Sequence, residues 1–288
     1  MEYDVVFIGH LSKDVIILHD GCETRRAGGA VYYGAIPAAR IGARTAAVVR
    51  AAAEDGYLLD PMRSEGVTVF HVPSVETTAI ENTYLDETME RRTCRKAGFA
   101  GKFGQEDLPE IESRVWHAAG LMRGETDHEF LSRLSGRGKV SADAQGFVRV
   151  ARGIEMVYED WPEKKEVLPL MSFFKCDAAE AEILTGLTDV RKAAGRLADW
   201  GAGEVVLTHP GGVLVLAGGE FTNEPFTPKE VRGRTGRGDT TMSSYLVWRR
   251  EHGPAEACRF AATLCSMKME KEGPFGGTLE EVLGRMKG

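Results

Sequence analysis

The chain has 288 residues, 43% hydrophobic and 27% charged, with a formal net charge of −7. That is ample material for one large α/β domain or two ordinary ones, and the acidic balance excludes nucleic acid as the main partner. No apolar run approaches the roughly 20 residues that span a bilayer, and five dispersed cysteines without a C-x-x-C pair (Cys22, Cys94, Cys176, Cys258, Cys265) suit reduced thiols in a cytoplasm.

The opening MEYDVVFIGH carries acid rather than base and predicts a buried strand over 3–9, not a secretory leader. A helix follows over 28–41, opened by two glycines, then a strand at 44–50, a helix at 56–65 and a strand at 67–72. This alternation predicts a mostly parallel sheet with helices on both faces. Segments 78–85 and 91–96 flank the polar turn Asp86-Glu87-Thr88 and predict a hairpin with one wet face, either a flap or an edge of the main sheet. Alternation resumes with a strand at 118–122, a helix at 126–134 and a strand at 139–144 ending near Asp143. Residues 151–169 are the least regular and read as a surface excursion. A strand at 173–176 runs into a helix at 177–185, followed by a helix at 188–200 and strands at 204–208 and 212–216. Helices at 238–251, 254–270 and 279–286 complete the chain. One domain over 1–288 with a small flap is the economical organisation.

The most informative segment is Thr235-Gly236-Arg237-Gly238-Asp239-Thr240. Two glycines one residue apart let the backbone turn and present N–H groups at a helix start, where the helix dipole also favours an anion. A carboxylate in that mouth repels a resting phosphate but can take a proton from a hydroxyl attacking one, so the arrangement points to phosphoryl transfer to an alcohol. The plainer alternative makes Asp239 an N-cap and the glycines a turn. Asp14 falls just beyond the first strand, where ligands collect in open α/β sheets. Gly28-Gly29 permits close approach of a substrate or of a packed strand. Asp177 and Glu180 sit one turn apart at a helix start, placed to organise Mg²⁺ and its waters or simply to complement the dipole. Thr208-His209-Pro210-Gly211-Gly212 joins two strands. Gly136-Arg137-Gly138-Lys139 is not a P-loop, and Gly201-Ala202-Gly203 precedes a strand, the wrong order for a dinucleotide fingerprint. No zinc-ligand spacing and no G-x-S-x-G elbow appears.

In this order the motifs resemble the ribokinase-like (PfkB) carbohydrate kinase family: an Asp after strand one, a Gly-Gly helix start, an N-x-x-E-like pair, a T-x-x-G-G-type turn, and G-x-G-D opening a late helix. The resemblance implies an α/β fold, a three-layer α/β/α sandwich with a mostly parallel central sheet and a small β lid. It implies an ATP-dependent, Mg²⁺-requiring phosphotransferase in which Asp239 is the general base. Gly236, Arg237 and Gly238, with the Asp239 N–H, would form the anion hole. Asp14, Gly28, Gly29 and Tyr33 would hold the acceptor; Thr208 and Gly211, with Gly236 and Gly238, the nucleotide; Asp177 and Glu180 the metal, through water. The helices after 254 would wall the adenine.

Three departures qualify the resemblance. Arg237 stands where Ala is usual, Asp177 replaces Asn, and Tyr33 stands where ribose and fructose-phosphate kinases tend to carry Asn. Tyr33 argues for a sugar or cyclitol acceptor such as myo-inositol rather than ribose. A nucleoside kinase of the same family, or a non-catalytic nucleotide- or metabolite-binding protein of the same fold, is the alternative. The stretch between Asp14 and Gly28 is short for a strand pair, which predicts a reduced lid built mainly from 78–96, with 11–27 as a lesser contributor, and a monomer or a homodimer not exchanged through the lid. The expected partner is a small molecule, with no nucleic acid and no membrane.

Overall fold

Val5 and Phe7 of the first strand enter one hydrophobic core, and Val6 and Ile8 enter a second on the opposite face. A strand buried on both sides reads as a continuous apolar run, which is why YDVVFIG stands out in the sequence. A computed structural model of the chain describes residues 2–86 and 92–287.

The first strand, β1 (Glu2–His10), is followed by β2 (Ser12–Ile17), β3 (Glu23–Gly28), α1 (Ala30–Arg40), β4 (Thr45–Ala52), α2 (Asp60–Ser64) and β5 (Thr68–Ser74). Next come β6 (Thr78–Tyr84), β7 (Arg92–Gly98), β8 (Glu112–Ala118), α3 (His128–Ser135), β9 (Lys139–Asp143), α4 (Gln145–Val148), β10 (Arg149–Arg152) and β11 (Glu155–Tyr158). The remainder is α5 (Lys164–Val167), β12 (Met171–Asp177), α6 (Ala178–Thr185), α7 (Val190–Asp199), β13 (Glu204–His209), β14 (Gly212–Ala217), β15 (Glu220–Pro225), α8 (Arg237–Trp248), α9 (Pro254–Met269) and α10 (Leu279–Lys287).

Among the described residues two sheets form. The larger runs β15-β14-β13-β12-β9-β8-β1-β4-β5, parallel from β13 to β5 and antiparallel across β13-β14-β15. Residues of α1, α8, α9 and α10 pack with one face, and residues of α3, α6 and α7 with the other. This is the three-layer α/β/α sandwich expected from the alternation. The smaller sheet runs β10-β11-β7-β6-β2-β3.

Several elements differ from expectation. The small sheet is not a reduced hairpin: β2 and β3 pair in full register from Ser12–Gly28 to Ile17–Glu23. Five residues suffice to connect them because Gly21 takes φ +82° and Asp20 accepts the Cys22 N–H at 2.9 Å. The supposed excursion at 151–169 contributes β10 and β11, which join β7 through Glu155 and Arg95. The hairpin at 78–96 therefore belongs to this second sheet and not to an edge of the main one. Part of its turn, Glu87-Thr88, lies outside the described residues. The strand expected at 118–122 is β8, ending at Ala118. Its polar start, Glu112-Ser113-Arg114, hides it, while the apolar 119–122 run is a loop at its exit. Residues 53–59 form a 3₁₀ turn before the short α2, in place of one helix. β15 was not anticipated.

Candidate active site

The C-terminal ends of the parallel strands and the small sheet enclose a cavity of about 530 Å³. Asp14, Gly29, Tyr33, Asp177, Glu180, Thr208, Gly236, Arg237, Gly238 and Asp239 all line it. Residues up to 225 positions apart in the sequence thus meet where open α/β sheets collect ligands.

The start of α8 forms one wall. Its N-cap is Gly236, not Asp239, with φ +78°. A Cβ at 236 would come within 2.2 Å of the Tyr33 ring, so both the backbone angle and the packing demand glycine. Asp239 falls third in the first turn, facing the cavity. Gly238 is required for another reason: a Cβ there would lie 2.5 Å from Nζ of Lys175. The missing side chain lets a buried ammonium lie against the first turn of the helix, next to its unpaired N–H groups.

Lys175 belongs to β12 and is 5% exposed. Burial works against its charge, yet Glu180 (Oε2 at 3.8 Å), then Asp143 and Asp239, outweigh that and hold it protonated beyond the usual lysine range. Asp239 moves the other way. Desolvation first, and Asp143 second, lift its carboxyl to about 6, against the pull of Lys175, His117 and Lys268. A carboxylate near neutrality is better matched to accepting a hydroxyl proton than one at 4. Asp143 lies buried at the end of β9 with His117 Nε2 at 3.5 Å.

Asp177 and Glu180 form a reciprocal capping box on α6: Oδ1 of Asp177 accepts the Glu180 N–H and Oε2 of Glu180 accepts the Asp177 N–H, each at 2.8 Å. Their structural role is therefore real, and both still face the cavity. Among the described residues no group of three or more acids, histidines or cysteines gathers to hold a metal. Two hard carboxylates nevertheless fit Mg²⁺, which keeps several waters and takes further oxygens from phosphate.

Asp14, Tyr33, Asn82, Gln145 and Arg149 also line the cavity. Gly28 does not line the cavity. A Cβ at 28 would sit 2.5 Å from Oδ2 of Asp14, so Gly28 makes room for that carboxylate instead of for a ligand. Gly29, at φ +110°, approaches the His10 carbonyl so closely that a Cβ would meet it at 2.4 Å. Tyr33 is a wall: its phenol is pushed up to about 12, chiefly by burial and then by Asp14, and Lys268 lies 5.4 Å over its ring. Lys268, itself buried, donates to the carbonyls of Gly233 and Thr235 and so anchors the loop before α8.

Gly211, in the β13–β14 turn, and the residues of α9 are not among those lining this cavity. Arg237 does line it, its guanidinium carbon 5.6 Å from the Phe226 ring centroid. Sequence reasoning missed Lys175, Arg234, Asn82, Gln145 and Arg149. For Lys175 the signal was a lysine inside an otherwise apolar strand, two residues before Asp177. The others give no signal without the fold.

Glu125, 1% exposed, accepts the Leu121 and Met122 N–H groups at 2.7 and 2.9 Å and shapes the loop that brings Leu121 to the cavity. Burial raises its carboxyl to about 7. Glu125→Ala leaves two buried N–H groups without an acceptor, and should cost about 2–4 kcal/mol in urea unfolding. An unchanged midpoint would show that the loop is held by other contacts.

Comparison with known proteins agrees with this geometry. The family model described as pfkB family carbohydrate kinase matches residues 2–280. A cytidine kinase of Thermococcus kodakarensis is 28% identical over 272 residues, covering 88% of this chain and 91% of that protein. A pyrophosphate-dependent kinase in the ribokinase family, solved with a pyrophosphate analog and myo-inositol, is 36% identical at a TM-score of 0.90, covering 98% of this chain and 99% of its own. A pyrophosphate-dependent myo-inositol-1 kinase converted into a myo-inositol-3 kinase by two substitutions is 35% identical at a TM-score of 0.88, with 98% of each chain covered. Arabidopsis thaliana ribokinase, complexed with ribose and ATP, shares the fold at 18% identity and a TM-score of 0.81 over the whole of both chains. The match runs through nearly the entire sequence, and the chain belongs to the pfkB family of carbohydrate kinases.

Proposed function

We propose that this kinase phosphorylates a hydroxyl of a cyclitol such as myo-inositol, with Asp239 as the base and pyrophosphate as the donor. The observation that carries the reading is one cavity lined by both kinds of group: Asp14 and Asp239, which can accept from hydroxyls, together with Lys175, Arg234 and Arg237 beside the first turn of α8. A donor made only of phosphates suits that concentration of cations. ATP is the donor the motifs suggested. Structural relatives at 36% and 35% identity, named as pyrophosphate-dependent, favour the pyrophosphate choice.

The acceptor hydroxyl approaches Asp239, which takes its proton as the oxygen attacks the phosphorus of pyrophosphate in line; the P–O bond to the bridging oxygen breaks and the other phosphate leaves as orthophosphate. Charge building on the transferred group is met by the N–H groups of Gly236, Gly238 and Asp239, the Arg237 N–H being taken by the Arg234 carbonyl at 3.1 Å, and by the Lys175 ammonium. Asp14 accepts hydrogen bonds from the ring hydroxyls and holds the acceptor in register. Magnesium, when bound near Asp177 and Glu180, would neutralise phosphate oxygens. The second sheet covers the cavity and would act as a lid. Because it has six strands among the described residues, the argument for a reduced lid falls, and with it the reason to disfavour dimerisation through the lid. Reduced cysteines suit a cytoplasmic setting, and no described helix is long and apolar enough to cross a membrane.

A nucleoside acceptor is the second reading, favoured by the cytidine kinase relative. The test is phosphate transfer from pyrophosphate, ATP and ADP to myo-inositol, ribose, fructose and cytidine. The expected result is kcat/KM at least a hundredfold higher for pyrophosphate with myo-inositol than for any ATP pair. Faster transfer from ATP, or to cytidine, would overturn the donor or acceptor assignment respectively.

A further inference from the structure

Arg149 enters the cavity from a place the family motifs do not mark, the junction of α4 and β10. Its backbone is fixed, since the carbonyl accepts the Arg123 N–H at 2.8 Å. The side chain is only 7% exposed, and Nη2 rests against Sγ of Cys94 on β7. Nε is buried with no hydrogen-bond partner among the described residues. Sulfur is a weak acceptor, so a guanidinium with five donors in a rigid fork is poorly satisfied here. A buried cation in that condition is costly unless something else accepts from it. Burial opposes its charge, while Cys94, Tyr158 and then Asp14, which lines the same cavity, favour it. Directly across the β6–β7 ladder from Cys94 stands Asn82, whose Oδ1 is likewise buried without a partner and which also lines the cavity.

We infer that Arg149, aimed by Cys94, donates to the hydroxyl oxygens of the acceptor ring and selects which hydroxyl is presented to Asp239. This rests on the polyol-kinase reading. An acid and a guanidinium lining one cavity have opposite demands: Asp14 takes hydrogen, Arg149 gives it. Neighbouring hydroxyls of a polyol can satisfy both at once in few orientations, because the planar fork fixes the direction of its donors. The class of ligand is a neutral ring with adjacent hydroxyls. Discrimination comes from leaving a buried donor unpaired in every other pose.

The experiment compares the intact wild-type chain with Arg149→Met, Arg149→Lys and Cys94→Ala. Kinetics use myo-inositol and pyrophosphate, and phosphorus–proton NMR reports the position phosphorylated. Arg149→Met should raise the KM for myo-inositol at least tenfold and spread the product over more than one position. Its affinity for imidodiphosphate, measured by calorimetry, should stay within twofold. Arg149→Lys keeps the charge but not the fork, so KM should recover in part while the product stays mixed. Cys94→Ala should broaden the product with a smaller change in KM. An unchanged KM and a single unchanged product in Arg149→Lys and Arg149→Met overturn the inference. If the wild type phosphorylates no polyol, the reaction reading has failed, and calorimetric titration of myo-inositol then decides the role of Arg149 alone. Tenfold weaker binding in the variants supports it, and equal or absent binding in all proteins overturns it.

Discussion

Asp239→Asn is expected to lower kcat by about 10²–10⁴ while donor binding, followed by calorimetry with imidodiphosphate, stays close to wild type. The substitution keeps shape and hydrogen-bonding capacity but removes the site that takes the proton. The pH profile separates this role from a structural one. With its carboxyl lifted to about 6, Asp239 is ionised above that pH and protonated below it. As a base it works only when ionised, so wild-type kcat/KM should fall about tenfold per unit below pH 6 and level off above. The Asn variant should lose that acid limb altogether. Burial is the main cause of the raised value, with Asp143 second, so Asp143→Asn should move the limb to lower pH. An Asn variant with wild-type turnover, or an acid limb that persists in it, would remove Asp239 from the proton transfer.

Lys175→Met should be nearly as damaging, and in two ways that can be measured apart. Its ammonium lies where only a glycine at 238 admits it, against the N–H groups that would face the transferred phosphate. Losing one preorganised partner of a developing anion typically costs about 10²–10³ in rate. The same change strands Glu180 and Asp143, whose buried charges face Lys175. Removing one member of a buried ionic group costs about 3–5 kcal/mol, which for a chain of this size should lower Tm by roughly 10 °C. Kinetics taken well below the lowered Tm isolate the first effect. Gly238→Ala is the companion test, since it displaces the ammonium but keeps the charge. Its rate should fall with a smaller loss of stability. A Lys175→Met protein that is less stable yet as fast as wild type would reduce Lys175 to neutralising the acids.

Much of this architecture could be read from local patterns. Strands buried on both faces announce themselves as apolar runs, and β1, β4, β9, β12, β13 and β14 were all visible for that reason. Strands of the second sheet were harder. β3 carries Arg25 and Arg26 and β10 carries Arg149 and Arg152, so neither shows as an apolar run. The stretch between Asp14 and Gly28 looked short for a strand pair, although one turn at Asp20-Gly21 is enough.

For the cavity, the chain's own sequence determined the residues whose chemistry depends on neighbours a few positions away. Glycines around Asp239 make a helix start with open N–H groups at Gly238 and Asp239, and Asp177 and Glu180 close a capping box three residues apart. Only the tertiary structure decided which side chains face them. Lys175 beneath Gly238, Tyr33 against Gly236, Gly28 yielding to Asp14, and Arg149 held by Cys94 are all contacts between distant segments. A side chain's charge state and direction follow from what surrounds it in space, through desolvation and close packing, and neither is written in the residues beside it in the chain.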